Sequence, residues 1–286
     1  MPSATAAWAT DVHLNFLDKR GRLAFARDLV REDPAAIVLT GDISEADTLA
    51  AHLRQIADVA RRPVYFVLGN HDFYRGSIDR VRRVARTLSA NSTAIRWLPA
   101  AGVVPLGERA CLIGVDGWGD GRLGNAETTD VLLNDFFCIE ELRHLRRPEL
   151  IERVRALGDE SAALARRLLD EALEHHERVL FATHVPPFRE ACWHEGRVSD
   201  DNWLPWFTCA AVGDALREKL AERPDRTCVV LCGHTHGAGV VDILPNLRVY
   251  TGATEYRRPR VAAEIHLDTS GYRLQSRVDD DQQSER

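Results

Sequence analysis

Five times along the chain an apolar run ends and the next residues are His, Asp or Asn. They are Asp11-Val12-His13, Gly41-Asp42, Gly69-Asn70-His71-Asp72, His184 and Gly233-His234-Thr235-His236. Carboxylate oxygen, imidazole nitrogen and amide oxygen form a donor set suited to divalent ions such as zinc, manganese or iron. Taken singly, each residue has an ordinary reading. A lone His at a strand end is more often a hydrogen-bonded structural residue, and an Asp after a strand often caps the next helix. Together they point elsewhere, because burying several imidazoles and carboxylates in one place gains nothing without a compensating cation. In Asp11-x-His13 and His234-x-His236 the paired residues are two apart, which on a strand puts both on one face.

These donors can meet only if the elements before them lie side by side. Residues 6–10, 36–40 and 63–68 read as strands, and 17–31 and 46–61 as amphipathic helices between them. Continuous apolar runs separated by helices mark strands buried on both faces, as in α/β layers. Further strands are expected at 111–115, 179–183, 228–232 and 246–250, with 261–267 and 272–277 as an antiparallel hairpin turning at 268–271. From about 119 to 178 the chain becomes charged and helix-favouring (139–146, 150–157 and 160–178), broken by Pro148 and Gly158, which reads as a helical insertion. The expected organisation is one domain over 1–278 carrying that insertion, with 279–286 a disordered tail. In such layered folds ligands bind outside the carboxyl ends of the strands, where all five motifs fall.

The 286 residues suit one large domain, and 45% apolar with 28% charged residues is ordinary for a packed globular chain. A net charge of −6 argues against a general nucleic-acid binder, although acids that face bound cations overstate the repulsion of an anionic substrate. The basic runs 80–86, 143–147 and 257–260 read as solvated faces. So do His52, His144, His175 and His176, while His266 fits the edge of the hairpin. The six cysteines include no C-x-x-C pair and read as reduced thiols. No leader-like or membrane-length apolar segment is present, so a cytoplasmic protein is expected.

Read in order, Asp-x-His, Gly-Asp-x-x-Glu, Gly-Asn-His-Asp, His and Gly-His-x-His resemble the calcineurin-like metallophosphoesterase superfamily over residues 11–236. The resemblance implies an α/β fold with a layered β-sandwich core flanked by helices, and two divalent metal ions of the Mn, Fe or Zn kind. Asp11, His13 and His236 would bind one ion, Asn70, His184 and His234 the other, and Asp42 would bridge them. Such a pair clamps a phosphoryl group and activates a water for in-line attack on phosphorus. His71 would lie beside the leaving-group oxygen instead of ligating, a role worth typically ~10²–10⁴-fold in rate. In many relatives an Asp three residues after the bridging Asp orients that His. Here Glu45 stands in that place, and Asp72 or a backbone carbonyl are the other candidates.

Substrate contacts are less local. Arg75 could reach a phosphate oxygen, or else cap the following turn. The stretch 188–207 holds Arg189, Trp193, His194, Arg197, Trp203 and Trp206. It is either a hydrophobic anchor for a long loop or a substrate wall in which Trp193, joined by Trp118, stacks on the leaving group while Arg189 holds phosphate. The activity implied is hydrolysis of a small-molecule or nucleotide phosphoester. Similarity of His184-Val185-Pro186-Pro187 and the Gly-Asn-His-Asp motif to bacterial cyclic-nucleotide and glycerophosphodiester phosphodiesterases favours a diester. A phosphomonoesterase, a dinucleoside-polyphosphate hydrolase and a nuclease stay open. A protein phosphatase fits less well, because residues 41–47 lack the Gly-Asp-x-x-Asp-Arg-Gly pattern. From another class, a non-catalytic metal-binding scaffold is the alternative; such members typically lack ligands or the catalytic His, and here every position is filled. A membrane partner is not expected, and a homo-oligomer built on the helical insertion is left open.

Overall fold

The computed structural model describes residues 4–268 and 271–276. Its strands in chain order are β1 (Ala4–Ala9), β2 (Ala36–Thr40), β3 (Val64–Val67), β4 (Ile95–Trp97), β5 (Val104–Pro105), β6 (Ala110–Gly114) and β7 (Arg178–Ala182). They continue as β8 (Trp193–His194), β9 (Arg197–Val198), β10 (Thr227–Cys232), β11 (Gly239–Leu244), β12 (Leu247–Thr251), β13 (Ala263–Asp268) and β14 (Gly271–Ser276). One sheet has the order β14-β13-β1-β2-β3-β4 and the other β11-β12-β10-β7-β6-β5, while β8 and β9 form a separate two-stranded ribbon. Strands β1 to β4 and β6, β7, β10 and β12 pair in parallel; antiparallel strands close three of the four sheet edges, and the parallel strand β4 forms the fourth.

Helices α1 (Lys19–Asp28), α2 (Leu49–Ala60), α3 (Ile78–Ala90) and the single turn α4 (Leu98–Ala101) belong to the first half. After them come α5 (Asp135–Cys138), α6 (Arg147–His175), α7 (Leu204–Phe207) and α8 (Ala210–Glu222). Alternate residues of each strand serve different cores, as period-two geometry requires. Ala7, Ala9, Ile37, Leu39 and Phe66 pack with Phe25 of α1, Leu53 of α2 and Val81 of α3. Ala6, Trp8 and Val38 meet Leu112, Leu180 and Leu231 of the other sheet. Cys111, Ile113, Phe181 and Val230 face Leu168 of α6 and Leu216 of α8. The result is a helix–sheet–sheet–helix sandwich, which is why the strand runs are apolar on both faces.

Several local expectations change. Helix α3 emerges around the basic run 80–86, and strand β4 follows it in a stretch where no strand was expected. Ile78, Val81, Ala85 and Leu88 are buried at helical spacing beneath the arginines. The stretch 139–146 is turn instead of helix, whereas α6 runs unbroken for 29 residues. Pro148 lies in the first turn of α6, where a missing N–H costs no helical bond. Gly158 lies mid-helix because a Cβ there would come 2.6 Å from Cβ of Asp120. It admits the 116–121 loop, and α6 covers the second sheet. His52 is buried, not solvated, and its Nδ1 is 2.7 Å from Ser44 Oγ. The six cysteines are unpaired. Among the described residues no helix is long and apolar enough to cross a membrane. The tail 279–286 and turn residues 269 and 270 lie outside the described residues.

Candidate metal centre

The carboxyl ends of β1, β2, β3, β7 and β10 open on one edge of the sandwich, and backbone bonds stitch their loops together. Asp11 N–H donates to the Gly41 carbonyl (3.1 Å), His13 N–H to that of Asp42 (2.9 Å), and Gly233 N–H to that of His184 (2.9 Å). Asp11, His13, Asp42, His234 and His236 all have φ between 42° and 69°. The left-handed region is uncommon for side-chain-bearing residues and tolerated best by Asn, Asp and His. At about 1–3 kcal/mol each, such strain persists where the surroundings over-determine it, typically at functional sites. Two glycines let the backbone approach the carboxylates. A Cβ on Gly69 would come 2.2 Å from Asp42 Oδ1, and one on Gly233 would come 2.1 Å from Asp11 Oδ2.

Donor atoms of Asp11, His13, Asp42 and His236 all lie within 4.8 Å of one another. His13 Nε2 is 3.3 Å from His236 Nε2 and 3.8 Å from Asp42 Oδ2, and His236 Nε2 is 3.5 Å from Asp11 Oδ1. On the other side of Asp42, His184 Nε2 is 3.3 Å from Oδ1 and 3.0 Å from Asn70 Oδ1. The His234 ring stands edge-on to His184 at 5.0 Å between centroids. Asp42 therefore turns one oxygen to each cluster.

The hydrogen-bond chemistry of these groups fits bound cations. His184 Nδ1 lies 2.8 Å from the Thr40 carbonyl, so the ring proton belongs there and Nε2 presents a lone pair. Asn70 Nδ2 donates to Asp135 Oδ1 (2.8 Å), which leaves its Oδ1 facing His184 Nε2. With the His184 ring neutral, two acceptors thus meet at hydrogen-bond distance beside a carboxylate, a contact that a cation resolves. His234 Nε2 lies 3.0 Å from the Trp206 carbonyl, leaving Nδ1 free to ligate, and His13 Nδ1 is buried with no partner. Burial pushes His13 down to about 2 and His234 to about 3, and it lowers His184 too, so the imidazoles are neutral as metal ligation requires. Burial raises Asp42 well above the ordinary carboxylate range, and the charges of Asp11 and Asp72 raise it further. Burial pushes Asp11 up as well, but the His236 hydrogen bond and the surrounding imidazoles outweigh it and hold Asp11 low.

His71 lies at the rim. Its backbone N–H donates to Asp42 Oδ1 (2.9 Å), its Nε2 is 3.8 Å from Asp42 Oδ2, and burial lowers it to about 3. Neither proposed orienting acid reaches its ring. Glu45 pairs with Arg75 (3.2 Å) and Asn15 (3.3 Å). Asp72 accepts from Ile43 and Ser44 N–H through Oδ1 and from Gly69 N–H through Oδ2, tying the β2 and β3 loops together. Burial raises Asp72 to about 7 against those donors. The ring's neighbour is instead Tyr74, stacked at 4.2 Å and 26°.

Above the donors lies a cleft of about 400 Å³. None of the four expected substrate contacts lines it. Arg75 is turned to Glu45, and Arg189 pairs with Asp201 at 2.5 Å. Trp118 is buried against Phe73, and Trp193 packs over Gly239. The loop 188–207 does form one wall, but through His194, Arg197, Trp203 and Phe207. Tyr256 forms the opposite wall, 4.5 Å from the His13 ring and 4.9 Å from that of His236. It follows β12, a sixth strand end outside the five motifs.

Residues 5–238 match the family described as calcineurin-like phosphoesterase. No curated protein matches the chain. Among solved structures, a phosphopantetheinyl hydrolase from Mycobacterium tuberculosis is similar at a TM-score of 0.66 and 15% identity, over 90% of this chain and 95% of that one. A dimetal phosphatase from Danio rerio is similar at 0.61 and 16%, over 94% of each chain. The anchor in the inner membrane complex of Plasmodium is similar at 0.52 and 13%, over 96% of this chain and 84% of that one. At such identities the likeness concerns the fold alone.

Proposed function

The chain belongs to the calcineurin-like phosphoesterase family and is a phosphoric ester hydrolase, and from that premise we propose that it cleaves a small phosphodiester at a two-metal centre. Asp11, His13, Asp42 and His236 would hold one divalent ion, and Asp42, Asn70, His184 and His234 would hold the other. The observation that carries this reading is the divided Asp42 carboxylate, with Oδ2 on the His13 side and Oδ1 on the His184 side. Bound there, such ions would supply charge neutralisation for the phosphoryl group and a water of lowered pKa. His71, backed by Tyr74, would present its ring N–H to the phosphoryl or leaving oxygen and stabilise the charge that develops there by donating a hydrogen bond. Tyr256, its phenol pushed up to about 12 chiefly by burial, stays protonated and able to donate to a substrate oxygen.

The cleft walls support the choice of substrate. Trp203 and Tyr256 are 46% and 49% exposed, and with Phe207 they offer aromatic surface to a leaving group. Arg197 is the only Arg or Lys among the lining residues, and Asp200 is close by. A polyphosphate would call for more cations than that. A nucleic-acid strand would call for a basic track, which a lone arginine does not make. One phosphoryl group joined to an aromatic or apolar group fits best.

Turnover of bis-para-nitrophenyl phosphate and para-nitrophenyl phosphate, measured on chelator-treated protein with manganese restored, tests the proposal. Preference for the diester is expected. Preference for the monoester would overturn the diester reading, and no turnover with any divalent metal would restore the non-catalytic scaffold.

A further inference from the structure

We infer that Asp135 is a positioning residue that aims one metal ligand and steadies the flank of His71. It lies on the one-turn helix α5, 65 residues beyond Asn70 and outside every recognised motif, yet it is buried beneath the site. A single oxygen, Oδ1, accepts from Asn70 Nδ2 at 2.8 Å and from the Tyr74 hydroxyl at 2.7 Å. An amide has one donor end and one acceptor end, and only the acceptor can ligate a cation. By engaging the donor end, Asp135 turns Asn70 Oδ1 toward His184 Nε2, 3.0 Å away. By engaging the Tyr74 hydroxyl, it fixes the ring that stacks on His71.

The precision of this contact has a backbone cause. Arg75 N–H donates to the Cys138 carbonyl (2.9 Å), and Glu140 N–H donates to that of Gly76 (3.0 Å). Gly76 and Ile139 also form an isolated parallel bridge. The segment carrying Asp135 is thus clipped to the turn that follows His71, so the carboxylate and the two groups it holds move as one body. Carboxylates in this supporting position typically change metal affinity by about 10–100-fold when removed.

The inference rests on the two-metal reading, and metal binding separates the two claims. Metal-free protein is titrated with manganese by calorimetry and with cobalt by visible absorption. The wild type is expected to bind two ions in resolvable steps; uptake of none or one would refute the two-metal reading itself. Asp135→Ala should weaken one step about 10–100-fold and leave the other unchanged. Asp135→Asn keeps an acceptor and should recover most of that loss, which a merely structural role would not produce. Tyr74→Phe keeps the 2.8 Å bond from Asn70 to Asp135 and loses only the longer 3.4 Å one from Asn70 to the Tyr74 hydroxyl, so both ions should still bind while kcat falls. Unchanged affinities in Asp135→Ala, or equal loss from both sites, would overturn the inference. Should circular dichroism show Asp135→Ala unfolded, Asp135→Leu, which keeps the bulk without the acceptor, decides: weakening confined to one step supports the role, and weakening shared by both steps, or no change in either, refutes it.

Discussion

The floor and the walls of the cleft are built by opposite means. The floor is backbone-driven. Its donors follow strands within a few residues, five of the seven hold a left-handed conformation, and bonds such as His13 N–H to the Asp42 carbonyl fix them before any ligand arrives. The walls are side-chain-driven. Trp203 and Tyr256 come from loops and keep large exposed faces, Phe207 ends the one-turn helix α7, and Phe207 and Tyr256 touch the floor through ring contacts such as Phe207 on His234 at 4.6 Å. A floor of that kind can be shared by enzymes with different substrates, because walls can change without disturbing the ligand geometry.

Breaking the floor should therefore cost far more than altering a wall. Asp42→Asn removes the charge that both clusters share. It should lower activity by about 10³-fold or more, since metal stabilisation of the transition state is worth several kcal/mol. Elemental analysis should find metal lost along with turnover; wild-type turnover would refute the bridging role. His71→Ala comes next. It should cost about 10²–10⁴-fold in kcat while metal content stays near wild type. Loss of metal in that variant would make His71 a ligand and move it from the rim into the floor.

The walls should answer in selectivity. Tyr256→Ala and Trp203→Ala each remove a ring face, and stacking of an aromatic group is worth about 1–3 kcal/mol, roughly 5–150-fold. The expected change is a higher KM for substrates with aromatic leaving groups and little change for those without, at constant metal affinity. If selectivity does not move, the leaving group leans elsewhere, and the comparison between floor and walls loses its functional meaning.

The same contrast governs what could be read from the residues alone. The donors were legible because each sits at the end of an apolar run, where one local rule gives element, position and chemistry together. The supports were not. Asp135 belongs to the site through partners 61 and 65 residues away, and nothing near it in sequence marks it. Among the tryptophans, Trp118 is buried and Trp203 is exposed, a difference set by which face of a loop meets the core. Gly158 looked like a helix breaker because propensity is local, while the contact with Asp120 that explains it is tertiary. Helix α3 was hidden because its four arginines are as many as the four apolar positions that dock it and are interleaved with them.

The smallest expected effect is the sharpest test of the walls. Arg189 was a natural choice for a phosphate contact from its place just after His184, but here it pairs with Asp201 at 2.5 Å, with the two side chains 45% and 53% exposed. Exposed pairs contribute only about 0.2–1 kcal/mol, so Arg189→Ala should leave kcat/KM within a factor of two or three and shift stability by less than about 1 kcal/mol. Steady-state kinetics on a diester and a melting curve measure both. A rise of tenfold or more in KM at unchanged stability would mean that Arg189 leaves Asp201 and swings into the cleft when substrate binds. The 188–207 wall would then be a surface that reorganises around its ligand, and only the floor would be preformed.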